Sequence, residues 1–350
     1  MTLRHPTIVQ TYRTAMRRHS LLLAVLGAVL VLSILVDCAV GPAAFSTTTL
    51  LRAVFTPSGV EEQTRLIVWQ IRLPYALMAA CVGGALGLAG AEMQTILANP
   101  LASPFTLGLS AAGAFGASLA IVLGWHIQHV PDMWLVAGSA FACSALSVWM
   151  LDLLVRLRQA GTGTVILCGV ALVFSFQALV SLMQFVASED ALQNLVFWTL
   201  GSLTRASWGT LSLLGGALAC ILPFSLMAAW PLTTLRMGED RAASLGVDVP
   251  RLRRAALLRI SLLCALAVAF VGVIGFIGLV APHIARRLVG EDHRFYLPAS
   301  LLSGALILSI SALVARVLVP GVVVPTGIVT ALVGIPFFLV IVLRRGGDMP

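Results

Sequence analysis

The sequence predicts an all-α polytopic membrane protein of about ten transmembrane helices with an inverted internal repeat. Three observations predict it. Hydrophobic residues make up 59% of the 350 residues and charged residues 10%, whereas a soluble domain has about 45–50% apolar residues, Gly included, and about 25% charge. A transmembrane helix takes about 20 apolar residues, and ten apolar runs of about that size, one of them short, can be drawn along the chain. The basic residues gather in alternate connections between those runs. With mean hydropathy at +1.01, a disordered chain is excluded, since disorder needs low hydrophobicity and high charge. No room remains for a large soluble domain.

The runs follow in order. Arg4, Arg13, Arg17 and Arg18 lie in a segment 1–19 that precedes the first run, 20–40. No A-x-A-like cleavage site follows, so the run reads as an uncleaved first helix. Leu35-Val36-Asp37-Cys38 is a poor lipoprotein signal, because Asp37 stands where a small residue is needed. Runs at 74–97, 105–124, 133–155 and 164–186 complete the first half. Residues 187–207 are semi-polar and predict a short helix plus loop on the outer side. The sixth run covers 208–230. Residues 236–254 are the most charged stretch and predict two short cytoplasmic helices. Glu239 and Asp240 suit a helix start, Gly246 a stop, and Asp248 with Pro250 a second start. A solvated charged loop is the alternative, but the small surface Ala242-Ala243-Ser244-Leu245-Gly246 suits insertion into a partner's groove. The last runs are 255–275, 277–290 (short, with Pro282 inside), 296–316 and 325–343. Residues 20–346 thus form a single transmembrane domain.

The net charge is +8, and all 22 basic residues are Arg. Without Lys there is no Walker A motif and no Schiff-base chemistry, so any ATP is bound by another chain. With the N-terminus cytoplasmic, 17 Arg fall in cytoplasmic segments and five (Arg52, Arg65, Arg72, Arg205, Arg316) on the other side. This is the positive-inside pattern; it places both termini in the cytoplasm and accounts for the basic balance without nucleic acid. The six Cys are isolated, which predicts apolar packing rather than disulfides or a metal site. No cofactor and no catalytic residue are expected: neither H-E-x-x-H nor a Ser/His or paired-Asp constellation occurs in the runs.

Runs two to five resemble runs seven to ten in layout. Each half opens on a Gly-rich helix (Gly83, Gly84, Gly87 and Gly90; then Gly272, Gly275 and Gly278). Each continues through a Pro-broken link (Asn99-Pro100-Leu101-Ala102-Ser103-Pro104; then Ala281-Pro282-His283). Each closes on a Gly-led helix (from Gly169; then from Gly327). An offset of five spans inverts one half against the other, a transporter signature when helices are broken. Close packing of small residues is the alternative. Glu92 is read as the acid well inside a span, either a functional group such as a proton site or a structural one. Gln94 reads as an interhelical hydrogen-bonding residue and His283 as hydrogen-bonded structure.

These residues bring out a family. The chain resembles the FecCD-type permeases of ATP-binding-cassette importers, over about residues 20–346. Ile71-Arg72-Leu73-Pro74 is similar to R-[LI]-P-R at the head of the second helix. Gly90-Ala91-Glu92-Met93-Gln94 with Asn99-Pro100-Leu101-Ala102-Ser103-Pro104 matches G-A-x-x-Q…N-P-L-A-x-P. Gly238-Glu239 through Leu245-Gly246 matches G-E…A-x-x-L-G. Gly275-Phe276-Ile277-Gly278-Leu279-Val280-Ala281-Pro282-His283 matches G-F-[IV]-G-L-[VI]-x-P-H. Pro325-Thr326-Gly327 through Gly334-Ile335-Pro336-Phe337-Phe338 resembles the closing motif. The sequence departs from the pattern at Tyr75, where R-L-P-R has a second Arg, and at Val323 and Val324, where some relatives carry an acid.

The resemblance implies a type II importer permease in the bacterial inner membrane. It implies a second permease subunit (a homodimer or heterodimer), two ATP-binding subunits docking from the cytoplasm, and a periplasmic substrate-binding protein, with membrane lipid around the assembly. It places Gly238, Glu239, Ala242, Leu245 and Gly246 in the coupling segment, Asn99, Leu101 and Thr162 at constrictions of the pathway, and Arg72, Tyr75 and Arg316 at the binding-protein dock. Ferric siderophore is the expected cargo; haem, cobalamin and an oxyanion such as molybdate are the alternatives. An ion-coupled secondary transporter is the rival class, and it would need acids at the midplane.

Overall fold

Each of the ten apolar runs coincides with a helix in the computed structural model, which describes residues 8–40, 47–56, 59–158 and 162–346. The first seven of the N-terminal segment 1–19 lie outside the described residues. In chain order the helices are α1 (Ile8–Ala39), α2 (Thr47–Phe55), α3 (Glu62–Leu66), α4 (Leu73–Ile96), α5 (Leu109–Val122), α6 (Asp132–Arg158), α7 (Thr162–Val186) and α8 (Glu189–Thr199). They continue with α9 (Trp208–Met227), α10 (Ala229–Leu235), α11 (Glu239–Ser244), α12 (Val249–Val271), α13 (Ile277–Val289), α14 (His293–Val317) and α15 (Thr326–Gly346). A π-helical stretch, Ile67–Arg72, joins α3 to α4 without a break.

Among the described residues, seven helical stretches are long and apolar enough to cross a membrane, those containing α1, α4, α6, α7, α9, α12 and α14. The α5 helix and the apolar part of α15 are shorter. The α13 helix has 13 residues, about 20 Å at the helical rise, short of a bilayer core of about 30 Å. It is preceded by the non-helical Gly272–Gly275. Such backbone is tolerated at membrane depth only where protein buries it or a cavity hydrates it, and Gly272 is packed against the carbonyl of Trp198. The semi-polar 187–207 segment forms α8 and a 3-10 turn, Leu203–Arg205.

The halves are interlocked. In the first, α5 packs on α6 and α12 crosses α6; in the second, α13 packs on α14 and α4 crosses α14. Each half thus lends its opening helix to the other, and the same contacts recur in both halves. Glycine makes the α4 crossings possible. A Cβ on Gly83 would meet the Gly304 carbonyl oxygen at 2.3 Å, one on Gly87 the Ser300 oxygen at 2.3 Å, and one on Gly90 the Gly278 oxygen at 1.9 Å. Spaced at four and three residues, the three share one helix face and bring backbone onto backbone. Gly90→Ala is expected to destabilise the chain by about 1–3 kcal/mol through overpacking. Gly216→Ala on α9, where nothing lies within 4 Å of the new methyl, should stabilise it by up to about 1 kcal/mol. Thermal unfolding of the two variants in detergent checks the contrast.

A candidate coupling and gate site

One end of the bundle collects the C-termini of α4 and α13, the N-termini of α12 and α14, and the short helices α10 and α11. The α11 helix is built by local chemistry. Gly238 enters it at φ 106°. Gly246, at φ 84°, closes it in a Schellman turn: the Val247 amide donates to the Ala242 carbonyl at 3.0 Å and the Gly246 amide to Ala243 at 2.9 Å. Both residues use the left-handed freedom of glycine. Ala242 and Val247 are buried beneath the turn, while Leu245 is 52% and Met237 49% exposed. The segment is therefore an anchored projection.

The second short helix expected here is instead the first turns of the long α12. Asp248 caps it, its carboxylate accepting the Arg251 amide at 2.9 Å. The start signal was legible; the run-on was not, because Arg251, Arg253 and Arg254 mask the continuing helix in a hydropathy reading.

The projection is wired to the gate link. The Glu239 carboxylate on α11 accepts both terminal nitrogens of Arg253, at 2.5 and 3.3 Å. Arg253 Nε donates to the Ile96 carbonyl at 3.1 Å, one of the last-turn carbonyls that a helix leaves unpaired. Directly after it the chain turns sharply at Ala98, at φ 46°. The Asn99 side chain accepts the Leu101 amide at 2.9 Å, an Asx-type turn, and a capping box between Ser103 and Thr106 restarts the helix. Leu101 stands 37% exposed at its tip. A cavity of about 210 Å³ lies between Asn99, Pro100, Gly238, Glu239, Arg253 and Arg286. Thr162 opens α7, but its side chain lies outside the described residues.

A polar layer stiffens this end. Arg286 donates to Gln94 Oε1 and the Tyr296 hydroxyl, each at 3.2 Å, and Gln94 Nε2 donates to the Leu279 carbonyl at 3.4 Å, so Gln94 bonds between helices as expected. Glu291 pairs with Arg236 and, at 3.5 Å, with Arg286. Asp292 caps α14, and the Arg294 guanidinium bonded to it holds its carboxyl below the usual carboxylate range. His283 packs edge-on against Phe337, 6.0 Å between centroids.

Glu92 is 1% exposed and ion-paired. Its oxygens accept Arg259 Nε at 3.1 Å and Nη2 at 2.7 Å, tying α4 to α12. Arg259, counted above with the cytoplasmic charges, lies inside α12 with this buried partner. The sequence reading missed the pair. Its available signal was an acid and an Arg at similar depth on the two opening helices of the repeat.

At the opposite end the structure brings Arg72, Tyr75 and Arg316 together, but facing inward. Arg72 is 4% exposed and donates to the carbonyls of Cys38 at 2.8 Å and Ala39 at 3.1 Å. Arg316 donates to the carbonyls of Asp37 at 2.8 Å and Val40 at 3.3 Å. It also pairs with the Asp37 carboxylate at 3.4 Å and lies 3.8 Å above the Tyr75 ring, a cation–π contact. The physical reason is that the last carbonyls of α1 have no intrahelical donor, and Arg satisfies both them and the negative end of the dipole. Asp37, read only as an obstacle to a lipoprotein signal, is the acid of this cluster. A cavity of about 410 Å³ opens beside the three side chains. Nearby, burial pulls Arg205 down to about 10, with its guanidinium 5.7 Å from the Trp198 ring centre.

Comparison with known proteins matches this arrangement to one family. Residues 29–344 match the FecCD transport family. The chain is 37% identical to the hemin transport system permease protein HmuU of Yersinia pestis, over 79% of this chain and 84% of that one. It is 35% identical to the molybdate import system permease protein MolB of Haemophilus influenzae, over 85% and 88%. A solved structure described as a metal-chelate type ABC transporter in an inward-facing conformation superposes with a TM-score of 0.82 at 31% identity, covering 92% of this chain and 99% of that one. The chain therefore belongs to the FecCD transport family, and it is a permease of the ABC-importer class.

Proposed function

We propose that this chain forms, with a second permease subunit, the pathway of an importer for a ferric-siderophore-type chelate in the bacterial inner membrane, with both termini cytoplasmic. Two separate ATP-binding subunits dock on the α11 projection, through Gly238, Glu239, Ala242, Leu245 and Gly246. Their closure is transmitted to the constriction at Asn99 and Leu101, with Thr162 at a second narrowing. The observation that carries this reading is the bridge Glu239–Arg253–Ile96 carbonyl, which joins the exposed projection to the turn bearing Asn99. A displacement of α11 by bound nucleotide then biases the end of α4, as a two-state element requires. The absence of Lys fits nucleotide binding on another chain.

A periplasmic binding protein delivers the cargo at the opposite end. There Arg72, Tyr75 and Arg316 act by fixing the end of α1 and the rim around it, since their buried groups offer little surface for direct contact. Arg72→Gln is expected to loosen docking about equally at low and high salt, whereas a direct charge contact would weaken steeply with salt. Binding of the cognate binding protein to reconstituted vesicles at two ionic strengths measures the difference.

Uptake in a deletion strain, with labelled ferric siderophores, haem, cobalamin and molybdate, tests cargo and energy source together. Depleting ATP should abolish uptake of one ligand, and collapsing the proton gradient alone should leave it intact. Dependence on the gradient alone would favour an ion-coupled transporter. ATP-dependent loss of haem, cobalamin or molybdate would keep the importer and reassign its cargo; haem and molybdate are favoured second by the names of the relatives above.

A further inference from the structure

A further concave surface lies between α6 and α12. It is a groove of about 750 Å³, within the range of small-molecule sites of about 300–1,000 Å³. Its walls are apolar: Phe141, Val148 and Trp149 from α6, and Leu258, Leu262 and Ala265 from α12. At one mouth stand Arg251 and Arg254. Both are exposed, and among the described residues neither guanidinium has a carboxylate partner, although Arg253 between them is paired with Glu239. Arg254 Nε makes one weak bond to the Pro250 carbonyl at 3.4 Å.

The dimensions fit a lipid. From Arg251 to Ala265 the helix rises about 21 Å, more than the ~15 Å depth of one leaflet's hydrocarbon. The groove is therefore open to acyl chain along one leaflet and cationic where that leaflet meets water. Trp149 lines the same groove as Leu258 and Arg254. Basic pockets between membrane helices select anionic headgroups.

We propose that the α6–α12 groove holds one anionic phospholipid, its phosphate between Arg251 and Arg254 and an acyl chain along Leu258, Leu262 and Phe141. The lipid sits at the root of the α11–α12 connection, so its occupancy braces the helix that carries Arg253.

The purified full chain, delipidated in detergent, tests this with dioleoyl phosphatidylglycerol and dioleoyl phosphatidylcholine as probes. Phosphatidylglycerol should raise the unfolding temperature and remain bound in native mass spectrometry, and phosphatidylcholine at the same mole fraction should do neither. The Arg251→Gln/Arg254→Gln variant should lose about 30-fold in phosphatidylglycerol affinity. Arg251→Lys/Arg254→Lys should keep most of it, and Leu258→Trp should displace the lipid with both Arg intact. Equal effects of the two lipids on the unaltered chain would overturn the proposal, and that comparison needs no variant to fold. So would an unchanged affinity in the double Gln variant, the same stabilisation by inorganic phosphate alone, or a Leu258→Cys cross-link to a second copy of the chain in place of lipid.

Discussion

Glu92→Ala is expected to destabilise the folded chain by about 3–5 kcal/mol, because it strands Arg259 as an unpaired charge between α4 and α12. The carboxylate is buried, and its partner's side chain is 12% exposed. Removing both charges should behave differently. Glu92→Met/Arg259→Met fills the same space with apolar atoms and should recover most of the loss, since buried ion pairs are often replaceable by hydrophobic residues of similar volume. Denaturant titration in mixed micelles provides the comparison. If the single variant costs less than about 1 kcal/mol, the value of a surface pair, the Glu92–Arg259 contact does not hold the halves together. The double variant also separates the two roles weighed for this acid. Wild-type uptake in a stable Glu92→Met/Arg259→Met chain leaves only structure, and lost uptake makes the carboxylate functional.

The second large effect concerns transport. Arg253→Gln removes the charge-assisted bonds joining Glu239 to the Ile96 carbonyl, each worth about 1.5–3 kcal/mol. If those bonds transmit closure, uptake should fall about tenfold or more while the assembled ATPase still turns over. Gly246→Arg should uncouple in the same way by another route. It forces a left-handed turn on a non-glycine residue, costing about 1–2 kcal/mol, and puts a bulky cation on the projecting face. Nothing lies within 4 Å of the new Cβ, so the fold should survive. ATP hydrolysis and uptake measured in the same vesicles decide the matter. Unchanged uptake in both variants would remove α11 from the coupling path.

The helices beneath the ten apolar runs were legible because hydropathy is local: each run announces itself within some twenty residues. The limits of α11 were legible for the same reason, since Glu239, Asp240 and Gly246 act on their own turns. What escaped was pairing. Asp37 and Arg316 are 279 residues apart, and Glu92 and Arg259 are 167 apart. Nothing in either neighbourhood says that an acid here meets an Arg there. The orientation of Arg72 was missed for a related reason. Its burial answers the unsatisfied end of α1, and that the two meet is visible only once the helices are side by side. The gate turn lies between these cases. Asn99-Pro100 signalled a break, but its tie to α11 through Arg253 became visible only in three dimensions.

The long separations also set a schedule for biosynthesis. At about 5–20 residues per second, a ribosome finishes Arg259 roughly 8–33 s after Glu92, and Arg316 roughly 14–56 s after Asp37. Asp37 has Arg72 beside it within the early chain, but until Arg259 is made Glu92 occupies α4 with no cation to meet it, and α4 offers a glycine-lined face whose mate, α14, has yet to leave the ribosome. The nascent N-terminal half is consequently a poor resident of the bilayer on its own. Chains truncated before α12 should be short-lived in the cell, and quality control by membrane proteases would read an unmatched Glu92 as the mark of an unfinished protein.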